Sequence, residues 1–224
     1  MAKRPVDVDV KQSIKDIFLN KNEYHLNYDY VISDGKKHPL AILVPGGGYQ
    51  MVCSFIEGVP IAKKLNAQGI SAVIVYYRVR KKGRYPSPMD DLARAVKEIF
   101  EKADAYNLDV NNYSVWGASA GGHLVASFGC DNMGYIKYSL PKPASLILTY
   151  PVITMDKEYT HIGSHDNLLG KDATKELEDE TSVEKHIHKE YPPTFIWCSY
   201  EDATVPCKNT EVMKEELEKN GISH

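Results

Sequence analysis

A serine between two glycines is the first indication of chemistry in this sequence. Gly117-Ala-Ser119-Ala-Gly121 fits the pattern G-x-S-x-G, in which a serine hydroxyl sits on a tight turn between a strand and a helix. The apolar run Tyr113–Trp116 predicts that strand, and Gly122–Phe128 predicts that helix. A turn this tight strains the backbone of Ser119 and leaves no room for side chains beside it. We predict that Ser119 is a catalytic nucleophile; the alternative is a glycine-rich turn with a serine helix cap.

A glycine-rich loop, Pro45-Gly-Gly-Gly-Tyr49, follows an earlier apolar run. A serine nucleophile needs backbone N–H groups close to the negative oxygen of the tetrahedral intermediate, and glycines permit that approach. We predict an oxyanion hole formed by the amides of Gly47, Gly48 and Ala120. A phosphate-binding loop is the alternative, but no Gly-Lys-Ser/Thr follows and the dinucleotide pattern G-x-G-x-x-G fails at Met51. The sequence therefore predicts no cofactor.

An acidic pair follows the last apolar run, Thr194–Cys198. Hydrolases with a nucleophile elbow place a carboxylate late in the chain, at the end of a strand, where it orients the catalytic histidine. We predict this role for Asp202, with Glu201 as the weaker candidate. The alternative for either residue is a solvated loop acid.

The order of apolar runs and helical patterns predicts a mostly parallel sheet with helices on both faces. The expected strands are Leu40–Val44, Ile70–Tyr77, Tyr113–Trp116, Ser145–Tyr150 and Thr194–Cys198. Helical spacing separates several of these runs. Alternation in Tyr24–Tyr30 predicts a half-exposed, antiparallel strand. Two antiparallel leading strands followed by a parallel sheet are typical of the α/β-hydrolase fold.

We expect residues 1–224 to form one domain, because no repeat or linker interrupts them. Residues 153–193 are polar and predict a lid-like excursion over the carboxyl edge of the sheet. The excursion contains His161, His165, His186 and His188. Pairs of these histidines have spacings that could hold a metal, but no third ligand follows, so we predict lid or surface histidines and no metal.

Five segments carry a resemblance to a known family. They are Pro45–Tyr49, Glu57–Ala62, Tyr77–Val79, Gly117–Leu124 and Glu201–Pro206. From about residue 40 onward the chain resembles small bacterial α/β-hydrolase esterases grouped with acetylxylan and feruloyl esterases. The resemblance implies hydrolysis of short acyl esters, such as acetyl groups on xylo-oligosaccharides, with a small-molecule ester as substrate. A peptidase or lactonase on the same scaffold, and a non-catalytic ligand-binding homologue, remain alternatives.

The catalytic histidine is missing from its expected place. After Asp202 the sequence contains one histidine, His224, whereas the family pattern puts the catalytic histidine on a loop beyond one further strand. Residues 206–220 predict an amphipathic helix that ends before Gly221, and such a crossover helix leads to a parallel strand. We therefore expect the final strand and the histidine beyond residue 224, with the chain truncated. His123 lies on the elbow helix, and we expect it to pack or hydrogen-bond away from the Ser119 hydroxyl.

Composition excludes several classes of protein. The 27 basic and 30 acidic residues give a net charge of −3, which argues against a nucleic-acid-binding surface. The longest strongly apolar run, residues 70–77, is too short to span a membrane, and the first residues lack a secretory signal, so we predict a cytoplasmic protein. Four cysteines without C-x-x-C spacing predict buried or free thiols rather than zinc ligands or disulfides.

Overall fold

A six-stranded sheet forms the centre of the protein, as seen in a computed structural model that describes residues 23–224. The strands are β1 (His25–Asn27), β2 (His38–Val44), β3 (Ser71–Tyr76), β4 (Leu108–Ala118), β5 (Ser145–Thr149) and β6 (Thr194–Trp197). Their spatial order is β1-β3-β2-β4-β5-β6. β1 runs antiparallel to β3, and every other neighbouring pair is parallel. The mostly parallel sheet predicted from the apolar runs is confirmed.

Of the two antiparallel leading strands expected, the described residues contain one, β1, and the run Leu40–Val44 forms a parallel strand as expected. β2 pairs in parallel with β3, where Leu40 lies opposite Ser71, and also in parallel with β4. The five residues Leu40–Val44 are buried, as expected of a central strand covered on both faces. The chain passes from β2 to β3 through a helical crossover, and a crossover connects parallel strands.

Seven α-helices lie around the described part of the sheet. They are α1 (Ser54–Glu57), α2 (Val59–Asn66), α3 (Ser87–Glu101), α4 (Ser119–Gly129), α5 (Ile162–Leu168), α6 (Lys175–Thr181) and α7 (Lys208–Lys219). Two 3₁₀ turns, Arg80–Gly83 and Val183–His186, accompany them. α3 and α4 pack together on one face of the sheet. On the other face, Ile61 of α2 and Trp116 of β4 line an apolar cavity of about 260 Å³.

The chain returns to the edge of the sheet after α7. Met213 and Leu217 bury the apolar side of that helix, as its amphipathic sequence predicts. Beyond the helix, the carbonyl oxygen of Ser223 accepts a hydrogen bond of 2.9 Å from the Thr194 amide, at the start of β6. That β6 is followed by a further strand stays a prediction.

A disulfide joins Cys198 and Cys207, contrary to the expectation of free thiols. The chain leaves β6, makes a short loop and enters α7, which brings the two Cα atoms to 5.8 Å, within the range of a disulfide. Sequence spacing does not reveal this approach, because it depends on the direction in which the loop turns. The disulfide closes the loop that carries Asp202. Cys53 and Cys130 are free, as expected.

In the described part of the chain, no helix combines the length and apolar character needed to cross a membrane. The first residues, on which the expectation about a secretory signal rests, lie outside the described range. The cytoplasmic location stays a prediction.

Candidate active site

Ser119 occupies a strained turn between β4 and α4. Its φ is +52°, in the left-handed region that favours glycine. A Cβ atom on Gly121 would lie 2.1 Å from the carbonyl oxygen of Val44, and one on Gly117 would lie 2.4 Å from the carbonyl oxygen of Gly121. The strained, side-chain-free turn that the sequence predicts is therefore confirmed.

The glycine-rich loop after β2 packs directly against this turn. Val44 at the end of β2 lies opposite Gly117 of β4, so the two strand ends are neighbours. A Cβ atom on Gly46 would lie 2.6 Å from the carbonyl oxygen of Ala118 and 2.9 Å from the Cβ of Ser119. Only a glycine permits so close an approach, and the next two glycines of the loop line a cavity together with Ser119.

The three proposed oxyanion donors are backbone amides that lack an acceptor in the protein, for two different reasons. Gly47 and Gly48 have φ values of +121° and +63°, and their amides donate no hydrogen bond to any described residue. Ala120 is the second residue of α4, and the first amides of a helix have no acceptor within the helix. All three amides therefore remain available for a bound anion.

Two cavities meet at Ser119. The smaller has a volume of about 250 Å³ and is lined by Glu57, Ser119, Tyr150, Asp202, Thr204 and Val205. The larger has a volume of about 450 Å³ and includes Gly47, Gly48, Gln50, Glu57, Ser119, His161, Asn167 and Thr204 among its lining residues. Four of the five residues predicted from sequence thus line one cavity or the other, and Ala120 follows Ser119 directly.

The loop after β6 holds Asp202 in a fixed position. Its Oδ1 atom accepts hydrogen bonds from the amides of Thr204 at 2.8 Å and Val205 at 2.9 Å. The carboxylate lies in the smaller cavity with Ser119, whereas the Glu201 side chain is exposed and lines neither cavity. Of the two acids considered from the sequence, Asp202 is the one near the serine.

Glu57 is a site residue that sequence reasoning missed. Its Oε2 atom accepts a hydrogen bond of 2.6 Å from the Gly46 amide, and its Oε1 atom accepts one of 3.3 Å from the Tyr150 hydroxyl. Burial raises the pKa of Glu57, and these two hydrogen bonds act in the opposite direction. The carboxyl group therefore fixes the loop that faces Ser119. The available signal was the position of Glu57 at the start of a segment that carries the family resemblance.

His161 and Asn167 also line the larger cavity, although the sequence indicated only a lid or surface histidine. The Nδ1 atom of His161 accepts from the Ser164 amide at 3.3 Å and lies 2.8 Å from the Ser164 Oγ. Burial lowers the pKa of His161, and the negative charge of Asp202 partly opposes that shift. The ring is therefore neutral near pH 7, with its proton on Nε2. Asn167 donates a hydrogen bond of 2.8 Å to the Gly48 carbonyl oxygen.

His123 is buried behind the site and does not contact the Ser119 hydroxyl, as expected from its helix position. Its Nε2–H donates to the Thr181 carbonyl oxygen at 2.8 Å, so Nδ1 accepts from the Tyr49 hydroxyl, also at 2.8 Å. Burial lowers the pKa of His123 to about 4. A neutral imidazole thus connects Tyr49 of the glycine-rich loop to the end of α6.

The other histidines of the excursion have partners of their own. His165 is buried between the carboxylates of Asp166 and Glu178, each at 3.0 Å. The rings of His186 and His188 hydrogen-bond to backbone carbonyl oxygens. Between residues 23 and 224, no hydrogen bond joins a histidine to Ser119, and no group of three histidine, cysteine or acidic side chains has an arrangement that could hold a metal ion.

Known proteins show which family this chain belongs to. A family profile described as BD-FAE matches residues 30–217. The chain belongs to the BD-FAE family. Together with the fold, this places the chain among the α/β-hydrolases.

Two curated relatives and one solved structure are similar to this BD-FAE chain. Endo-1,4-beta-xylanase B of Butyrivibrio fibrisolvens is 32% identical over 96% of this chain and 36% of its own length. An acetylxylan esterase of Xylanibacter ruminicola is 32% identical over 73% of this chain and 33% of its own. The acetyl ester-xyloside bifunctional hydrolase of Caldicellulosiruptor lactoaceticus superposes with a TM-score of 0.80 at 32% identity, covering 89% of this chain and 75% of that one. The chain spans about a third of the length of the two curated relatives.

We expect Gly121→Ala to destabilise the fold by about 3 kcal/mol or more, because the new methyl group meets a backbone oxygen that cannot move aside. Gly69→Ala is the matched control: Gly69 also has a positive φ, of +78°, but nothing lies within 4 Å of its added Cβ. The control should lose only about 1–2 kcal/mol from backbone strain. Urea unfolding of both variants measures the difference; equal losses would contradict the close packing at the elbow.

We expect His123 to make the protein less stable in acid. Its pKa of about 4 in the folded state lies below the ordinary 6.5, so the unfolded chain takes up the proton first. The free energy of unfolding should fall by about 3 kcal/mol between pH 6.5 and pH 4 on account of this residue. His123→Gln keeps a donor and an acceptor but does not titrate. Urea unfolding of both proteins across this range should give curves that converge at low pH; parallel curves would rule out this role.

Proposed function

We propose that the protein is a serine carboxylesterase that hydrolyses short acyl esters through an acyl-enzyme, with acetyl groups on xylo-oligosaccharides as the principal substrate class. This proposal rests on the contact between the glycine-rich loop and the strained serine. It brings amides without protein acceptors to a nucleophile that shares a cavity with a fixed carboxylate. Acyl transfer requires this combination of groups.

In the proposed mechanism the Ser119 Oγ atom attacks the ester carbonyl carbon while its proton passes to a histidine. Asp202 orients that histidine through its carboxylate. The amides of Gly47, Gly48 and Ala120 stabilise the oxyanion, each contributing roughly 10² to 10³ in rate. The histidine returns the proton to the departing alcohol. Water then attacks the acyl-enzyme with the same base and releases the acid.

The sizes of the two cavities support a short acyl group. The smaller, of about 250 Å³, lies between Ser119 and Asp202, so the imidazole that Asp202 orients takes up part of it and leaves room for only a short acyl group. The larger, of about 450 Å³, suits the alcohol, and Gln50, His161 and Asn167 supply polar groups for sugar hydroxyls. The names of the similar acetylxylan esterase and acetyl ester-xyloside hydrolase agree with this assignment.

A non-catalytic ligand-binding protein is the second candidate. It is favoured by one observation: among residues 23–224, no histidine hydrogen-bonds to Ser119. Such a protein would bind acetylated sugars and release them unchanged. A peptidase or lactonase would instead prefer an amide or a cyclic ester to an acetate ester, so a substrate panel separates the three functions.

We expect a fluorophosphonate probe to label Ser119 in the full-length protein, and Ser119→Ala to abolish both labelling and p-nitrophenyl acetate hydrolysis. The expected loss in kcat is on the order of 10⁴ to 10⁶. Peptide mapping and initial rates measure the two effects. Hydrolysis retained by Ser119→Ala would overturn the proposal. Ester binding without turnover in the full-length protein would instead favour the non-catalytic candidate.

His161→Asn provides a matched comparison at the same cavity. We expect this substitution to lower kcat/KM by no more than roughly tenfold, because the His161 ring hydrogen-bonds to Ser164 rather than to Ser119. A loss as deep as that of Ser119→Ala would place the general base at His161.

Glu57 should act as a positioning residue through the Gly46 amide. We expect Glu57→Ala to lower kcat for p-nitrophenyl acetate by roughly 10-fold to 100-fold with little change in KM, because the oxyanion loop loses its fixed acceptor. Glu57→Gln keeps an acceptor oxygen for Gly46 and should stay within roughly threefold of the parent. Steady-state kinetics measure both variants. An equal loss in the two would show that the negative charge, rather than the hydrogen bond, matters.

A further inference from the structure

A positively charged cleft lies beside the larger site cavity. Its volume is about 500 Å³, and its walls include Arg80, Lys81, Lys82 and Arg84 but no carboxylate side chain. The chain as a whole carries a net charge of −3. The cleft is therefore a local concentration of positive charge on a mildly acidic protein, and it attracts anions.

The cleft is continuous with the proposed active site. Gln50 and Asn167 line both the cleft and the larger cavity. The Arg80 amide donates to the Tyr49 carbonyl oxygen at 2.8 Å, and the Arg80 Nε donates to the Gln50 carbonyl oxygen at 3.0 Å. The charged segment is thus attached to the same loop that carries the proposed oxyanion amides.

Two guanidinium groups in the cleft are held in place and keep N–H groups free. Arg80 has a φ of +59°, outside the usual region for this residue type, and uses only Nε for its side-chain hydrogen bond. Arg84 donates from Nη1 to the Asp166 carbonyl oxygen. The remaining guanidinium N–H groups form no hydrogen bond with the residues that the structure describes. Such groups match the two oxygens of a carboxylate.

The lysines differ in their partners. Lys82 lies 3.4 Å from Glu23, and both side chains are exposed, so water screens the pair. Lys81 has no acidic partner among the described residues. Of the four cationic side chains that line the cleft, Lys82 is therefore the one with an acidic partner among the described residues.

From this arrangement we infer that the cleft binds a carboxylate carried by the alcohol part of the ester substrate, as in a uronic acid unit next to the acetylated sugar. The inference rests on the proposed function, which assigns the alcohol to the larger cavity. A sugar chain that leaves this cavity past Gln50 and Asn167 enters the cleft. A negative charge there gains paired guanidinium contacts that a hydroxymethyl group does not.

The first experiment measures binding alone and does not require catalysis. Methyl β-glucuronide and methyl β-glucoside differ only in a carboxylate against a hydroxymethyl group. In an amide NMR titration at low salt, we expect the glucuronide to bind roughly tenfold more tightly and to shift the signals of residues 80–84. The preference should weaken as salt rises. Equal affinity for the two sugars, or inorganic phosphate binding as tightly as the glucuronide, would overturn the inference.

Charge variants test the cleft directly. Arg80→Gln/Arg84→Gln removes both guanidinium groups and should abolish the preference. Lys81→Glu/Lys82→Glu leaves both arginine contacts with the backbone intact, reverses two charges and should also abolish it. The matched control, Lys64→Glu/Lys97→Glu, makes the same charge change where α2 and α3 approach the opposite edge of the sheet. If the control loses the preference equally, net charge and not the cleft is responsible.

A kinetic arm separates this inference from the proposed function. Acetylated methyl glucuronide and acetylated methyl glucoside are compared by kcat/KM in the full-length protein, with p-nitrophenyl acetate as the neutral reference. The parent should favour the glucuronide ester roughly tenfold, and the lysine variant should lose that preference at an unchanged reference rate. Absence of hydrolysis of all three esters would refute the esterase while the binding titration still decides the cleft. Hydrolysis without the preference would refute the cleft alone.

Discussion

The close approach of two backbone turns is the constraint on which the site depends. The loop after β2 and the turn after β4 meet with the Gly46 Cβ position only 2.6 Å from a carbonyl oxygen of the other turn. A side chain at either contact would separate Ser119 from the glycine-rich loop. The positive φ of Ser119 and the hydrogen bond from Gly46 to Glu57 are consequences of holding the turns together. The burial of β2 and β4 around Ser119 offsets the energetic cost of its strained backbone conformation.

The sequence predicts the central strands well, and the strand ends and short helices less well. The runs at 40–44 and 70–77 became β2 and β3 because central parallel strands are apolar on both faces. The start of β4 at Leu108 was missed, since Asp109, Asn111 and Asn112 carry no strand signal. The short helix α1 was missed, and α5 and α6 were expected only as part of a helix-and-loop excursion without bounds of their own, because helices of four to seven residues show little periodicity.

The site residues also fall into two groups, those that the sequence reveals and those that only the structure reveals. Ser119 and the glycines could be found because their backbone geometry restricts which residues fit there. Glu57 and His161 could not be assigned roles, because a single acidic residue or histidine has many possible environments, and only the path of the chain decides which it meets. The Cys198–Cys207 disulfide belongs to this group, as it depends on how the loop around Asp202 turns. Sequence thus indicates the rigid parts of the site, and tertiary structure supplies the side chains that converge on them.

The order of the strands explains why these residues converge at one point. β2 lies between β3 and β4, so the chain goes to one side of β2 first and to the other side later. Beyond the contact at Gly46, the segments that follow β2 and β4 therefore lead in different directions, and a crevice opens beside Ser119. Tyr150 and Asp202 follow β5 and β6 at the same edge and close one side of the crevice. The segment around Arg80 follows β3 and lies on the other side, beyond the glycine-rich loop. Ser119 is thus flanked by an acidic side at Asp202 and a basic side at Arg80. Under the proposed function, this polarity would give a charged substrate a preferred direction along the crevice.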